Sequence, residues 1–425
     1  MSLDRPLEVA LIGTGNRAQT IYRPLLTSLR PWVRFVAVCD PVRENAEAFA
    51  ASVDVPAFYS LRDLVQARVC EAALVVTPID GHSALSCYLS AHGIHHLVET
   101  SMASSLVQGR RMVDAAHEHN VTLRIAENFF RFPFDRIAKK IAATGFIGDV
   151  KRLTCFHDHL GYHNNSRWIV FYGAYPEAVQ GHAHTMPTAP HRQAANRAHR
   201  HHEEETFNVR LYHFPDNRLV TDLAGNIKGM LGRYPRPGYT EIDGARGTIV
   251  QQATNDWHGD LAVQQETEDW PSEAEVRYCS DESLDNGGLA DQVFPIVNCS
   301  EQGNWTTTYV DLPAGRVEYV NPYRPSERVL INRDYYGAAV MGHIVDFAKT
   351  VRGVSQGEYT PDDALMAMMM EMGGRESARR DGARIALPLT GDLEVDDLAL
   401  VSQRQKYGVD PLDVEAMLAV SYPKP

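Results

Sequence analysis

The sequence has no CxxC pair, no apolar run approaching the ~20 residues that cross a bilayer, and no excess of positive charge. Each absence excludes something. Cys39, Cys70, Cys87, Cys155, Cys279 and Cys299 are scattered, which argues against a zinc ribbon or a dithiol redox motif and for free, mostly buried thiols. The start, Met1-Ser2-Leu3-Asp4-Arg5-Pro6, lacks the hydrophobic core of a signal peptide, so the expected location is the cytoplasm, with no membrane partner. A net charge of -13 disfavours nucleic acid and anionic membrane, while saying nothing about a small substrate. No internal repeat or low-complexity tract is present. What remains is a chain of 425 residues, 44% of them apolar, which suits two domains better than one.

The strongest positive signal lies near the N-terminus. An apolar segment, Val9 to Ile12, runs into Gly13-Thr14-Gly15-Asn16-Arg17-Ala18, and a second apolar segment, Val36-Ala37-Val38-Cys39, ends on Asp40. A strand, a glycine turn opening a helix, and a second strand ending on an acid are what a dinucleotide needs. Gly13 permits the tight turn, Gly15 lets the backbone approach a pyrophosphate, and Ala18 replaces a third glycine where helix meets strand. Asp40 would accept hydrogen bonds from the adenosine ribose and repel a 2'-phosphate, favouring NAD over NADP, although Arg43 stands near enough to offer a compensating charge.

Short apolar runs at Val33 to Cys39, Cys70 to Val76, His95 to Glu99 and Thr122 to Ala126 alternate with helical stretches Val42 to Ser52, Gly81 to His92 and Val107 to His119. This predicts a doubly wound parallel sheet in residues 1–127. Beyond Asn128 the pattern changes. A helix from Pro133 to Thr144, closed by Gly145, precedes strand candidates Val150 to Phe156, Phe207 to Phe214, Asn217 to Gly225, Gly247 to Gln252 and Arg316 to Asn321. Strands following strands imply an antiparallel sheet, hence a second α+β domain over 128–425. Late helices are expected at Gly337 to Val351 and Pro361 to Ala378, the latter carrying Met366-Ala367-Met368-Met369-Met370, which reads as adaptable packing. The acidic, weakly periodic stretch from Thr254 to Asn304 is expected to be a surface excursion.

In this order the elements resemble the Gfo/Idh/MocA family of nicotinamide-dependent sugar and polyol oxidoreductases. The resemblance rests on Gly13-Thr14-Gly15, Val38-Cys39-Asp40-Pro41, Val75-Val76-Thr77-Pro78 followed by His82, Val98-Glu99, Asn128 to Pro133 leading to Gly145-Phe146-Ile147-Gly148, and Gly244-Ala245-Arg246-Gly247-Thr248. It implies an N-terminal Rossmann domain and a C-terminal domain on a large open antiparallel sheet, whose uncovered face would be buried in a homodimer or homotetramer. It also implies cofactor contacts from Gly13, Thr14, Gly15, Asn16, Arg17, Asp40, Arg43, Thr77, Pro78, His82, Glu99, Thr100 and Asn128. One departure stands out. Where the family typically carries Glu-Lys-Pro, this chain reads Glu99-Thr100-Ser101, and threonine cannot supply the lysine's charge. Either another residue takes over, or the chemistry has changed, or catalysis has been lost.

Moving a hydride to or from an alcohol carbon requires a partner for the hydroxyl proton, and histidine serves in both directions. The family places such a histidine in the substrate domain, where this chain offers Gln180-Gly181-His182-Ala183-His184, so His182 and His184 are the candidates. Nine of the 18 histidines fall between His157 and His202. His157-Asp158-His159 and His199-Arg200-His201-His202 have ligand types for a transition metal, yet they equally suit a sugar pocket; the family generally uses no metal, and none is expected here. Substrate candidates are Arg131, by resemblance, and the polar and aromatic cluster Tyr162, His163, Asn164, Arg167 and Trp168, whose rings and amides suit carbohydrate.

The expected activity is therefore hydride transfer between NAD and a secondary alcohol carbon of a sugar, glycoside or cyclitol. Two alternatives stand beside it. One is a glycosidase or lyase that keeps its NAD and oxidises the sugar transiently; the other is a non-catalytic nucleotide- or sugar-binding protein.

Overall fold

The computed structural model describes residues 3–157, 161–192, 201–225, 238–253, 272–329 and 334–420. Asp158, His159, His199, Arg200 and the first part of the acidic stretch, 254–271, lie outside these. Six strands, β1 (Leu7–Ile12), β2 (Val33–Cys39), β3 (Ala57–Phe58), β4 (Ala72–Val75), β5 (His95–Val98) and β6 (Leu123–Ile125), form one sheet in the order β3-β2-β1-β4-β5-β6. Every pairing is parallel, so both faces must be covered. The strands accordingly read as continuous apolar runs, with Leu7, Val9 and Leu11 turned to one core and Ala10 and Ile12 to the other.

Local chemistry fixes the helices between them. Ser60 caps Leu61–Ala67 by accepting from the Arg62 and Asp63 amides, and Ser105 caps Leu106–Glu118 through Gln108. The first face of the sheet is closed from a distance in sequence. Helix Tyr336–Val351 places Val340, Met341, Ile344 and Phe347 in the same core as Val9, Leu74 and Leu97.

The second sheet has eleven strands: β7 (Arg152–His157), β8 (Ala178–Arg192), β9 (His201–Phe214), β10 (Arg218–Gly225), β11 (Tyr239–Asp243), β12 (Gly247–Ala253), β13 (Ser272–Tyr278), β14 (Gln292–Glu301), β15 (Asn304–Leu312), β16 (Gly315–Val320) and β17 (Ile385–Ala386). Their order is β16-β15-β14-β13-β12-β11-β7-β10-β9-β8-β17, antiparallel except for the parallel pairing of β10 with β7. The expected surface excursion is corrected here. Residues 272–278 and 292–301 are strands β13 and β14, with Val276 buried in the core and Phe294 and Ile296 packed against it. Their alternation of apolar and polar residues is that of a half-buried sheet, masked at the sequence level by the acidic residues on the opposite face.

Between the sheets runs helix Pro361–Arg379, opened by a capping box in which Thr360 and Asp363 exchange hydrogen bonds. Its methionines are buried, and it meets β8 at backbone distance: a Cβ on Gly181 would fall 2.3 Å from the Gly374 carbonyl oxygen. Only glycine fits there. No helix among the described residues is long and apolar enough to cross a membrane.

Candidate active site

β1 ends at Ile12 and the chain turns through Gly13 at φ 89°, where a Cβ would lie 2.3 Å from the Val76 carbonyl oxygen. The helical run that follows is irregular, with a π-turn at Ala18–Tyr22 in place of the regular helix expected. Before Gly15 there is open room: a Cβ added there meets nothing within 4 Å. Asp40, at the end of β2, reaches across to this turn. Its Oδ2 accepts from the Thr14 amide at 2.8 Å and the Thr14 hydroxyl at 3.0 Å, and its Oδ1 accepts from the Val42 amide at 2.9 Å. A carboxylate has about four lone-pair sites, so capacity remains for a further donor. Arg43 is directed elsewhere, pairing with Glu47 and lying 3.9 Å from the Tyr59 ring centroid.

The neighbouring βα connection supplies Thr77, whose buried hydroxyl has no partner among the described residues, and Pro78. An open glycine turn, an acid with spare acceptor capacity and an orphaned buried hydroxyl fit the phosphate and ribose portions of a dinucleotide. His82 is fully buried, its ring nitrogens 2.9 Å from the carbonyl oxygens of Ser101 and Thr77, so it braces the loops after β4 and β5. Burial lowers its pKa.

At the end of β5, Glu99 accepts from Arg17 Nε at 2.7 Å, Tyr22 Oη at 2.6 Å and the Thr100 amide at 3.0 Å. Burial pushes its carboxyl up, but the Arg17 charge and the Tyr22 and Arg17 hydrogen bonds outweigh burial and hold it at about 2. Asn16 is exposed on the turn. Asn128, buried just past β6, donates its amide to Glu127 Oε1 at 2.8 Å.

A cavity of about 250 Å³ opens beside this edge, walled by Thr100 to Ser104, Ile79, Ile125 and Glu127 on one side and by Tyr162, Tyr359 and one face of helix Pro361–Arg379 on the other. Glu127 accepts from the Asn128 and Phe129 amides and from His163 Nδ1 at 2.9 Å. His163 is stacked on Phe129, 4.3 Å between centroids. Tyr162 shares this corner with Thr100 and Ser101; burial raises its phenol, the Glu127 charge adds to the effect, and the two hydroxyl side chains offset part of it.

The rest of the expected carbohydrate cluster is placed differently. Residues 161–172 form a helix lying on the large sheet, and its period turns Asn164, Arg167 and Trp168 inward. Arg167 pairs with Asp135 at 2.7 Å and Trp168 Nε1 donates to Asp222 at 3.2 Å, so neither lines the cavity. Arg131 is likewise buried, bound to Asp346 at 3.1 Å and to Glu358. His182 and His184 are exposed on β8, with the His182 ring against Gly382 and outside the cavity walls. Among the described residues no group of three or more metal-ligating side chains converges.

Sequence reasoning missed Tyr359, Met368, Glu371, Met372 and Arg375 as cavity residues. A signal existed: positions 364, 368, 372 and 367, 371, 375 fall on one helical face. The density of methionine made the whole helix read as core.

Residues 7–127 match the oxidoreductase family Gfo/Idh/MocA, described as an NAD-binding Rossmann fold. The chain is similar to a 2,7-anhydro-N-acetylneuraminate hydratase of Mediterraneibacter gnavus, 30% identical over 33% of this chain and 37% of that one. It is also similar to a glycosyl hydrolase family 109 protein of Streptomyces niveus, 27% identical over 39% of this chain and 34% of that one. Matches to the curated relatives span only 34% to 39% of their lengths. Among solved structures, levoglucosan dehydrogenase in complex with NADH and levoglucosan superposes with a TM-score of 0.63 at 18% identity, covering 91% of this chain and 100% of that one.

Proposed function

From the match of residues 7–127 to the Gfo/Idh/MocA family of NAD-binding Rossmann folds, we propose that the protein is an NAD-dependent oxidoreductase acting on a secondary alcohol carbon of a sugar, glycoside or cyclitol. Bound NAD supplies the hydride acceptor or donor. The Gly13–Arg17 turn, Asp40 and Thr77 hold the dinucleotide, and the cavity beside Thr100 receives the sugar. The observation that carries this reading is the position of that cavity: it opens at the carboxyl ends of β5 and β6, the edge at which open α/β sheets bind their ligands, and has Glu127 and Tyr162 in its walls.

We assign proton transfer to Tyr162 rather than to His182 or His184. In reduction the Tyr162 Oη–H donates to the carbonyl oxygen; in oxidation the hydroxyl proton leaves through the same phenol, with the Glu127 carboxylate beside it as acceptor. Tyr162 thereby replaces the proton handling that the missing lysine would support, and Thr100 contributes a neutral hydroxyl. The test is transfer of deuterium from a carbon-deuterated sugar panel to the nicotinamide ring, read by mass spectrometry; a panel that labels no cofactor speaks against the proposal.

A second reading is favoured by the hydratase and glycosyl hydrolase relatives. In it NAD stays bound and the sugar is oxidised transiently, so that a neighbouring C–H becomes acidic. Turnover without net NADH, accompanied by exchange of that proton with solvent deuterium, would identify it.

A further inference from the structure

Helix Pro361–Arg379 turns Ala364, Ala367, Met368, Glu371, Met372 and Arg375 to the cavity. Most of this wall is small or apolar, and its last turn ends in a cation. Arg375 Nε donates to Glu371 Oε1 at 2.9 Å. The same carboxylate receives both terminal nitrogens of buried Arg210, the second at 3.0 Å. Arg210, Glu371 and Arg375 thus alternate in sign, and Arg375 is the exposed end of the chain. Its side chain is 57% exposed, and its two terminal nitrogens have no partner among the described residues. The Nε–Glu371 bond fixes the plane of the guanidinium and leaves a pair of parallel donors.

Arg375 is also the only cationic side chain among the described cavity residues, while Glu127 stands in the facing wall, close to Tyr162. A substrate carrying an anionic oxygen group would be repelled from the Glu127 end and held at the Arg375 end. That orientation leaves its hydroxyl-bearing carbon beside Tyr162. A volume of about 250 Å³, just under the usual range for drug-sized ligands, admits one sugar ring. We propose that the substrate is an acidic monosaccharide whose carboxylate is bound end-on by the two terminal nitrogens of Arg375. This rests on the cavity being the sugar site.

The test is calorimetric titration of NAD-loaded protein with neutral aldoses and the matching uronic acids, D-glucose against D-glucuronate and D-galactose against D-galacturonate. We expect the acids to bind about tenfold or more tightly, the size of a charge-assisted pair, and the preference to shrink as salt is raised. Arg375→Gln should erase the preference and leave NAD affinity as it was. Arg375→Lys, which keeps the charge but not the fork, should retain part of it and guards against misfolding of the glutamine variant. Neutral sugars binding as well as the acids, or a preference that survives Arg375→Gln, would overturn the assignment while leaving the cavity its sugar. Binding of neither kind would overturn both readings together, and tighter binding of D-glucose 6-phosphate than of D-glucuronate would overturn the carboxylate.

Discussion

Arg17 and Glu99 form an ion pair at 2.7 Å that ties the helix after the glycine turn to the end of β5. The two lie in the loops that must stay aligned for a dinucleotide to span both. Arg17→Ala leaves Glu99 buried with only Tyr22 and one amide as partners. We expect a loss of about 3 kcal/mol, the low end for a broken buried pair because Arg17 keeps one edge in solvent. Denaturant midpoints of the wild type and the variant measure it, and an unchanged midpoint would show that the pair is energetically idle.

Acid should weaken the attachment of the C-terminal helix Glu394–Tyr407. Burial raises the Asp80 carboxyl, but Lys406, Tyr407, Gln403 and Ser104 all donate to it and bring it down to about 2. A depressed folded-state pKa contributes stability that is fully present above the ordinary value of 3.8 and is lost as pH falls through 2. Melting temperatures between pH 2 and 5 should therefore fall less steeply for Asp80→Asn than for the wild type.

Cofactor choice should depend on Asp40. Because its carboxylate both orders Thr14 and offers acceptor capacity towards a ribose, Asp40→Ala should lower NAD affinity by about tenfold and narrow the preference for NAD over NADP. Fluorescence or calorimetric titration with both cofactors measures it; equal binding of NADP by the wild type would contradict this view of the acid.

The proton-transfer assignment separates cleanly by mutation. Tyr162→Phe should lower turnover by about 10²-fold with NAD binding intact, while His182→Ala and His184→Ala should leave turnover close to wild type. The reverse pattern would return the role to β8.

Much of this was legible in the sequence. The glycine turn and Asp40 could be read because a Rossmann turn needs particular residues at particular spacings, and β2 runs over the expected residues, Val33 to Cys39. Other positions depended on information a linear pattern does not carry. Arg167 and Trp168 look equally suited to a sugar and to a buried network; only the helical period of 161–172, hidden by its polar residues, turns them onto Asp135 and Asp222. Arg375 was hidden for the opposite reason, since the methionines around it made the whole helix read as core and masked the face that ends on it.

The outer face of the large sheet predicts assembly. Opposite the core residues Leu153, Val220 and Tyr212, the alternation places Phe156, Val209, Leu211 and Leu223 on the side away from the helices, where the last three are only half-buried. Such a face favours self-association, so we expect a dimer or tetramer by light scattering, shifted towards monomer by Leu211→Glu with Leu223→Glu. A monomeric wild type at micromolar concentration would refute it.

Helix Tyr336–Val351 closes a sheet whose last strand ends at Ile125. On the ribosome, at about 5–20 residues per second, the first six strands must therefore wait tens of seconds for the segment that seals one of their faces. During synthesis the face bearing Leu7, Val9 and Leu11 is covered only in part, by Ile21, Tyr22, Leu25 and Leu29 of the segment after β1. A chain terminated before Tyr336 should remain bound to chaperones, whereas one released after Val351 can bury that face.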